Sequence, residues 1–268
     1  MTKPEPTRKP PLARVPDSNE REKRRRGIYL LPNAFTTAAL FAGFYAVVQA
    51  MNGRFELAAI AIFVALVLDG MDGRVARLTN TQSAFGEQYD SLSDMTSFGV
   101  APALVAYEFA MNDLGRWGWL AAFIYVAGAA LRLARFNSTI TTTDKRFFQG
   151  LPSPAAAALV AGFVWLVQDA RLMIDPAILA WLMFGLTIYG GMAMVTNAPF
   201  YSGKSFALGR SVPFWAILAL VGTFVFVSSD PPLVLFALFV IYGLSGWVVW
   251  AWRIRHAKQM KFHSPEDL

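Results

Sequence analysis

Long apolar runs constrain the fold of this 268-residue chain more than any other feature. Several of them approach the roughly 20 residues that a helix needs to cross the hydrocarbon core of a bilayer. With 55% hydrophobic and only 16% charged residues, the composition disfavours a soluble domain. The sequence therefore predicts an all-α, polytopic integral membrane helical bundle of about eight transmembrane helices. The predicted spans are about 34–51, 56–78, 95–111, 117–136, 153–171, 174–194, 212–229 and 232–253.

The distribution of Lys and Arg predicts which way this bundle faces. Of the 24 basic residues, only Arg54, Arg116 and Arg171 lie in the short connections on one side of the predicted spans. The rest fall on the opposite side, together with both termini. By the positive-inside rule, the termini are cytoplasmic. We expect the chain to lie in the cell (inner) membrane. Membrane topology thus explains where the basic residues lie. The net charge of +6 therefore does not require a nucleic-acid partner, and none is expected.

The two ends of the chain are predicted to lie outside the transmembrane domain, which would comprise residues 28–253. Residues 1–27 are rich in Pro and charge, so we expect a disordered basic cytoplasmic arm that contacts anionic membrane lipids. Residues 254–268 would form a cytoplasmic C-terminal tail. That tail contains both histidines, His256 and His263, and the chain has no Cys, so a zinc site within the bundle is not expected.

Four aspartates interrupt the apolar pattern between residues 69 and 94: Asp69, Asp72, Asp90 and Asp94. An ionised Asp in a bilayer costs roughly 2.5–3.5 kcal/mol and therefore needs a partner. The i,i+3 and i,i+4 spacings place each pair on one face of its helix. Two helices that each present two carboxylates suit one or two hard cations, Mg²⁺ or Mn²⁺. The pattern predicts a metal site at the membrane edge on the cytoplasmic face. The alternative is a set of acids merely solvated at a helix end.

The residues around these aspartates suit a phosphorylated ligand. The small residues Gly73, Ala76 and Gly86 would let a substrate approach the backbone closely. Arg77 supplies a forked cation that matches a diphosphate.

The same stretch resembles the signature of the CDP-alcohol phosphotransferase family. It matches every fixed position of that signature: Asp69-x-x-Asp72-Gly73-x-x-Ala76-Arg77, eight residues, then Gly86-x-x-x-Asp90-x-x-x-Asp94. The resemblance implies transfer of a phosphatidyl or related group from a CDP-linked donor to an alcohol, with release of CMP. It also implies two metal ions held by Asp69, Asp72 and Asp90, with Asp94 as a general base that also touches the second ion.

The resemblance further implies which residues contact the donor, CDP-diacylglycerol. One group surrounds the aspartates, and another belongs to the Pro32–Thr36 segment at the start of the first predicted span. For Asn33, the N-cap of that span is an alternative role compatible with a donor contact. The donor-binding residues implied in this way are Asn33, Thr36, Gly73, Ala76, Arg77, Ser83 and Gly86.

Two further segments, Leu131–Asn137 and Phe148–Ala155, resemble the phosphatidylserine synthase branch of the family. This resemblance implies L-serine as the acceptor, and Arg132 or Arg135 could pair with its carboxylate. Asn137 is a third candidate contact. The alternative role for both arginines is anchoring at the membrane surface by snorkelling side chains. The loop Thr196–Arg210, with Tyr201, Ser202 and Lys204, also resembles that branch.

Other functions are compatible with parts of this pattern. A sister enzyme could use glycerol 3-phosphate or another alcohol as acceptor. A remote alternative is an ion-coupled transporter, but that class predicts acids near the bilayer midplane and repeated or broken helices. The absence of Cys or His near the acids favours direct displacement over a covalent enzyme intermediate. The family resemblance suggests a homodimer, and we expect the last two spans to serve packing or dimerisation rather than chemistry.

Overall fold

The computed structural model describes residues 18–79, 81, 83–138, 147–169, 173–201 and 214–261, and within these ranges the protein is predominantly helical. The α-helices are α1 (Ser18–Met51), α2 (Phe55–Thr79), α3 (Ala84–Asp94), α4 (Ala101–Ala106), α5 (Arg116–Ser138), α6 (Ser153–Gln168), α7 (Pro176–Val195), α8 (Phe214–Ser229) and α9 (Pro231–Lys261). Two short strands, β1 (Phe147–Gln149) and β2 (Pro199–Tyr201), pair as an antiparallel ribbon. The predicted all-α class is confirmed, whereas the ribbon was not predicted.

Four of these helices contain segments long and apolar enough to cross a membrane: Pro32–Met51, Arg116–Ser138, Pro176–Val195 and Pro231–Trp252. Helix α6, with 16 residues, is apolar but shorter. Helix α2 carries Asp69, Asp72, Arg74 and Arg77, which lower its hydropathy. The predicted helical class is thus confirmed, with four candidate membrane-spanning helices among the described residues.

The N-terminal part of α1 differs from the prediction in two ways. The helix begins at Ser18, so residues 18–27, which we expected in a disordered arm, lie in α1. Asn33 is therefore inside the helix and follows Pro32, and the N-cap role considered for it is wrong. The expected N-cap rested on Asn33 standing before an apolar run, but the helix begins well before it, with Pro32 inside. At the other end of the chain, α9 continues to Lys261, past the boundary predicted at residue 254.

Small residues let the helices approach one another closely. Ala39, Ala42, Ala46 and Ala50 are buried at helical spacing along α1, the helix that packs most extensively against α2. At Gly43, an added Cβ would lie 2.6 Å from the Ser97 hydroxyl oxygen. Close backbone contact of this kind is typical of helix pairs in membranes, where packing drives association. The close packing fixes the relative positions of the helices that carry the acidic residues.

The chain between Asp94 and Gly115 is not a uniform helix. π-Helical turns at Met95–Val100 and Tyr107–Met111 flank α4, and a 3₁₀ turn follows at Asn112–Leu114. π-Helical turns occur frequently at functional sites, and the first one directly follows Asp94. Within it, the Phe98 carbonyl accepts a hydrogen bond from the Tyr125 hydroxyl at 3.2 Å. Neither π-helical turn was predicted from the sequence.

The helices place most of the polar features at one end of the bundle. The N-terminal part of the first apolar segment, the end of α2 and the whole of α3 meet there, joined by the end of α5 and the start of α6. At the opposite end, the rings of Phe55 and Phe109 pack with centroids 5.2 Å apart. The connections predicted on one side, near residues 52–54 and 112–116, therefore lie at the same end of the bundle.

Candidate active site

The structure brings the four aspartates together. Single carboxylate oxygens of Asp69, Asp72 and Asp90 lie within 4.8 Å of one another. Asp94, one helical turn beyond Asp90, interacts with the carboxyl group of Asp69. Two acids from the end of α2 thus face two from α3, as the residue spacing suggests. The cluster is a compact, oxygen-only set of possible metal ligands.

The cluster fits a divalent cation. The Oδ1 atoms of Asp90 and Asp94 are buried and have no hydrogen-bond partner within the described part of the chain. A buried carboxylate oxygen without a partner is costly, and several such groups in one cluster repel each other. Cations of the Mg²⁺ or Mn²⁺ type prefer oxygen ligands and would compensate both effects.

The environment of Asp90 shows how strongly the acids interact. Burial of the carboxyl group, together with the negative charges of Asp72 and Asp69, raises the pKa of Asp90 from 3.8 to about 7. The proton is held because the ionised form is poorly solvated and faces like charges. A bound cation would favour the ionised form instead.

Thr36 connects α1 to this cluster. Its hydroxyl donates a hydrogen bond to Asp72 Oδ2 at 2.8 Å and lies 3.2 Å from the Pro32 carbonyl oxygen. Its own carbonyl accepts a hydrogen bond from the Ser93 hydroxyl of α3 at 3.1 Å. Thr36, predicted to be a donor contact, therefore also orients an acidic side chain. Its buried position and its contact with α2 depend on tertiary packing, so the sequence did not indicate this second role.

An open cleft beside the aspartates contains about 520 Å³ of empty space. Six of the seven predicted donor-binding residues line it, the exception being Arg77. The Arg77 Nε atom donates to the Gly73 carbonyl one turn earlier in the same helix, at 2.9 Å. Ser83 caps α3 by accepting a hydrogen bond from the Gly86 amide at 3.0 Å. The residues lining the cleft are Pro32, Asn33, Thr36, Asp72, Gly73, Ala76, Thr81, Ser83, Gly86, Glu87 and Asp90.

Thr81 and Glu87 line the cleft but were not predicted as site residues. Neither occupies a fixed position of the sequence signature, and both reach the cleft through the turn between α2 and α3 and the start of α3. The sequence signal that could have indicated them is their polarity, between two apolar predicted spans.

Of the residues predicted to bind serine, Arg132 interacts with one of the acids. Its guanidinium interacts electrostatically with the Asp94 carboxyl group. Its Nη1 atom donates to the Ser153 hydroxyl, at the start of α6, at 2.8 Å. Arg132 is therefore a cation placed beside the aspartate cluster, on its α5 side.

Arg135 and Asn137 make other contacts. The Arg135 guanidinium donates to backbone carbonyls around the end of α7 and to the Gln149 carbonyl, the latter at 2.7 Å. It also donates to the Asn197 side-chain oxygen at 3.1 Å. Asn137 donates to the Ser91 hydroxyl at 3.0 Å and so joins α5 to α3. Of the other predicted loop residues, Tyr201 lies in β2, while Ser202, Lys204 and Arg171 lie outside the described residues.

Comparison with known proteins agrees with this geometry. Residues 29–196 match the CDP-alcohol phosphatidyltransferase family. A CDP-diacylglycerol–serine O-phosphatidyltransferase of Helicobacter pylori is 36% identical over 222 residues, which cover 82% of this chain and 92% of the relative. A protein of the same name from Methanocaldococcus jannaschii is 36% identical over 185 residues, covering 68% of this chain and 80% of its own length. The chain belongs to the CDP-alcohol phosphatidyltransferase family.

Proposed function

We propose that this protein transfers the phosphatidyl group of CDP-diacylglycerol to L-serine, which gives phosphatidylserine and CMP. One observation carries the proposal. The aspartate cluster lies between the cleft, which Asp72 and Asp90 line, and the cation Arg132, which is beside Asp94. A nucleotide-activated donor suits the cleft, and an amino acid carboxylate suits the cation. The names of the relatives support this choice of substrates.

The aspartates are proposed to hold one or two divalent ions, Mg²⁺ or Mn²⁺. Asp69, Asp72 and Asp90 would supply ligands for one ion, and Asp94 would contribute to a second. When bound, such ions neutralise the diphosphate and the charge that develops on the leaving CMP. Thr36 holds Asp72 in one orientation through its 2.8 Å hydrogen bond, so that ligand need not be reorganised when an ion binds.

Asp94 is proposed to accept the proton of the serine hydroxyl as that oxygen attacks phosphorus. Its buried Oδ1 atom has no hydrogen-bond partner within the described residues, which leaves an acceptor site for the hydroxyl. The Arg132 guanidinium beside it would bind the serine carboxylate by paired hydrogen bonds and so bring the hydroxyl close to Asp94. Attack on phosphorus and departure of CMP then form a single displacement.

The donor is proposed to lie in the cleft with its nucleotide against Asn33, Gly73, Ala76, Ser83 and Gly86. An added Cβ at Gly73 would meet no heavy atom within 4 Å, so a ligand can approach the backbone there. Exposed apolar side chains on neighbouring turns, Leu78, Phe85 and Leu92, would face the acyl region of the bilayer. Arg77, at the end of α2, would reach the donor diphosphate by turning away from its own helix.

The proposed membrane arrangement has about eight spans within residues 28–253, with the aspartate cluster and both termini on the cytoplasmic side of the cell membrane. The skewed distribution of Lys and Arg supports this orientation. The basic N-terminal residues would contact anionic lipids. A homodimer is proposed on the family resemblance alone.

Activity of the purified protein tests this function directly. Radiolabelled L-serine should enter lipid only when CDP-diacylglycerol and a divalent cation are both present, with one CMP released per lipid formed. Parallel reactions should contain glycerol 3-phosphate or inositol instead of serine. Incorporation of glycerol 3-phosphate without incorporation of serine would contradict the proposed acceptor while leaving the phosphatidyl transfer intact.

A further inference from the structure

Helix α9 lies outside the part of the chain that matches the family, yet it contacts the acceptor side of the candidate site. The Tyr242 hydroxyl donates a hydrogen bond to the backbone carbonyl of Tyr201, the last residue of β2, at 3.1 Å. The ring of Tyr242 also packs against the buried ring of Phe200, with centroids 5.8 Å apart. One residue of α9 thus holds β2 by both a polar and an apolar contact.

The other strand of the ribbon is held by α5. The Arg135 guanidinium donates to the carbonyl of Gln149, the last residue of β1, at 2.7 Å. Gln149 pairs with Pro199 of β2. The ribbon is therefore fixed between α5 and α9, and Arg135 lies one helical turn from Arg132.

The chain that follows β1 leads directly to Ser153, the residue that Arg132 contacts. The amides of Gly150 and Leu151 donate to the carbonyls of Ala198 and Ala193 at 3.0 and 2.9 Å, which fixes the entry to α6. Ser153, two residues later, accepts the hydrogen bond of Arg132 at 2.8 Å. The side chains of Arg132 and Tyr242 are also neighbours.

We propose that Tyr242 is a positioning residue of the acceptor site: from α9 it holds the β-ribbon and the Arg132 side chain in the orientation that binds the carboxylate of serine. This proposal rests on the proposed function and extends it to a helix expected to serve packing or dimerisation. It predicts that the contacts of α9 affect the apparent affinity for serine. They should not affect the affinity of the cleft between α1, α2 and α3 for the donor.

The variant Tyr242→Phe tests the proposal, because it keeps the ring that packs on Phe200 and removes only the hydroxyl. We expect the KM for L-serine to rise about three- to tenfold, the size of effect expected when one hydrogen bond is lost. The KM for CDP-diacylglycerol and the kcat should stay within about twofold of the wild type. Inhibition by serinol, which lacks the carboxylate, should not weaken, because Arg132 has no carboxylate to bind in that molecule.

Tyr189→Phe is the matched control. The Tyr189 hydroxyl donates to the Gly243 carbonyl of α9 at 2.7 Å and accepts from the Trp247 indole at 3.1 Å. This variant removes the same group from a contact with the same helix, but on the side of α7. Its serine KM should match the wild type, and the thermal stability of both variants is measured to compare the damage to the fold.

Three KM results would overturn the positioning role of Tyr242. These are an unchanged serine KM in Tyr242→Phe, an equal rise in the KM values of serine and donor, and an equal rise of the serine KM in Tyr189→Phe. If serinol inhibition weakened by the same factor as the serine KM rises, this would likewise contradict the role, because the effect would not depend on the carboxylate. If the wild-type protein does not use serine at all, the proposed function itself fails, which is a separate and distinguishable outcome.

Discussion

At the scale of single residues, four chemically identical side chains have different surroundings. Asp72 accepts a hydrogen bond from Thr36 and lines the cleft. Asp94 has a buried oxygen without a partner among the described residues and lies beside Arg132. Because surroundings decide the role of a carboxylate, Asp72 suits a fixed ligand and Asp94 suits a proton acceptor.

Asp94→Asn tests this division of roles. The amide cannot accept the serine proton, so we expect kcat to fall by about 10²–10⁴-fold, as for the loss of a general base. The affinity for Mn²⁺, measured by electron paramagnetic resonance, should fall by a smaller factor because three carboxylates remain. Asp113→Asn, an exposed position at the opposite end of the bundle, is the control. Near-normal turnover of Asp94→Asn would remove Asp94 from the base role.

The raised pKa of Asp90, about 7, predicts a pH dependence of metal binding. Between about pH 4 and 7 the folded, metal-free protein keeps a proton that the unfolded chain loses, so its free energy of unfolding falls as the pH rises. Cations compete with this proton. We therefore expect the Mn²⁺ affinity to weaken as the pH falls through about 7 and to level off above it. Calorimetric titration with Mn²⁺ across this pH range measures the affinity, and Asp90→Asn should flatten its dependence on pH.

At the scale of elements, Arg135 links the end of α5 to two other segments. Helix α7 ends at Val195, and its last carbonyls have no partner within the helix. The Arg135 guanidinium donates to the carbonyls of Met194, Val195 and Thr196 and, across the ribbon, to that of Gln149. A cation at a helix C-terminus is also favoured by the helix dipole. These contacts support a structural role for Arg135, in contrast to Arg132.

Arg135→Ala should therefore destabilise the fold. Loss of several charge-assisted hydrogen bonds predicts a decrease of about 2–4 kcal/mol in the free energy of unfolding. Denaturation in detergent measures this decrease. Arg116→Ala at the other end of α5, where the arginine lies 5.6 Å from the Trp117 ring, is the control and should cost about 1 kcal/mol or less. A fully stable Arg135→Ala protein with a selectively raised serine KM would instead favour the serine-binding role.

At the scale of the whole molecule, the ends of the bundle differ in polarity. The aspartate cluster, the cleft and Arg132 lie at one end, where α2 ends and α6 begins. The other end is formed by short turns near Asn52 and Gly115 and by packed aromatic rings such as those of Phe55 and Phe109. A lipid substrate with a charged headgroup and a water-soluble acceptor meet most readily at a membrane surface, which explains a one-sided site.

The absence of native cysteines allows a direct test of this orientation. Single cysteines at Asp113, in the turn before α5, and at Ser138, the last residue of α5, mark the two ends of the bundle. We expect a membrane-impermeant maleimide to label Ser138→Cys only from the cytoplasmic side and Asp113→Cys only from the opposite side. Sealed right-side-out and inverted vesicles make the comparison, and detergent-opened vesicles serve as the labelling control. Labelling of both positions from one side would contradict the proposed topology.

Much of the fold and of the candidate site followed from local pattern. Apolar length predicted the helices, and the i,i+3 and i,i+4 spacings placed each aspartate pair on one helix face. The contacts of Thr36 with Asp72, of Arg135 with Val195 and Asn197, and of Tyr242 with Tyr201 did not follow. They join residues between 36 and 62 positions apart in the chain. Nothing in the local sequence around these residues indicates such partners.

By itself, therefore, the sequence determined the helical class, the apolar segments and a cluster of aspartates able to bind a divalent cation. It could do so because helix period and hydrophobicity are local properties. Only the tertiary structure decided that Thr36 holds Asp72, that Arg135 ties α7 to a ribbon, and that α9 reaches the acceptor side. Those contacts depend on how closely the helices approach each other, and that distance is set by small residues packing across interfaces that no single segment contains.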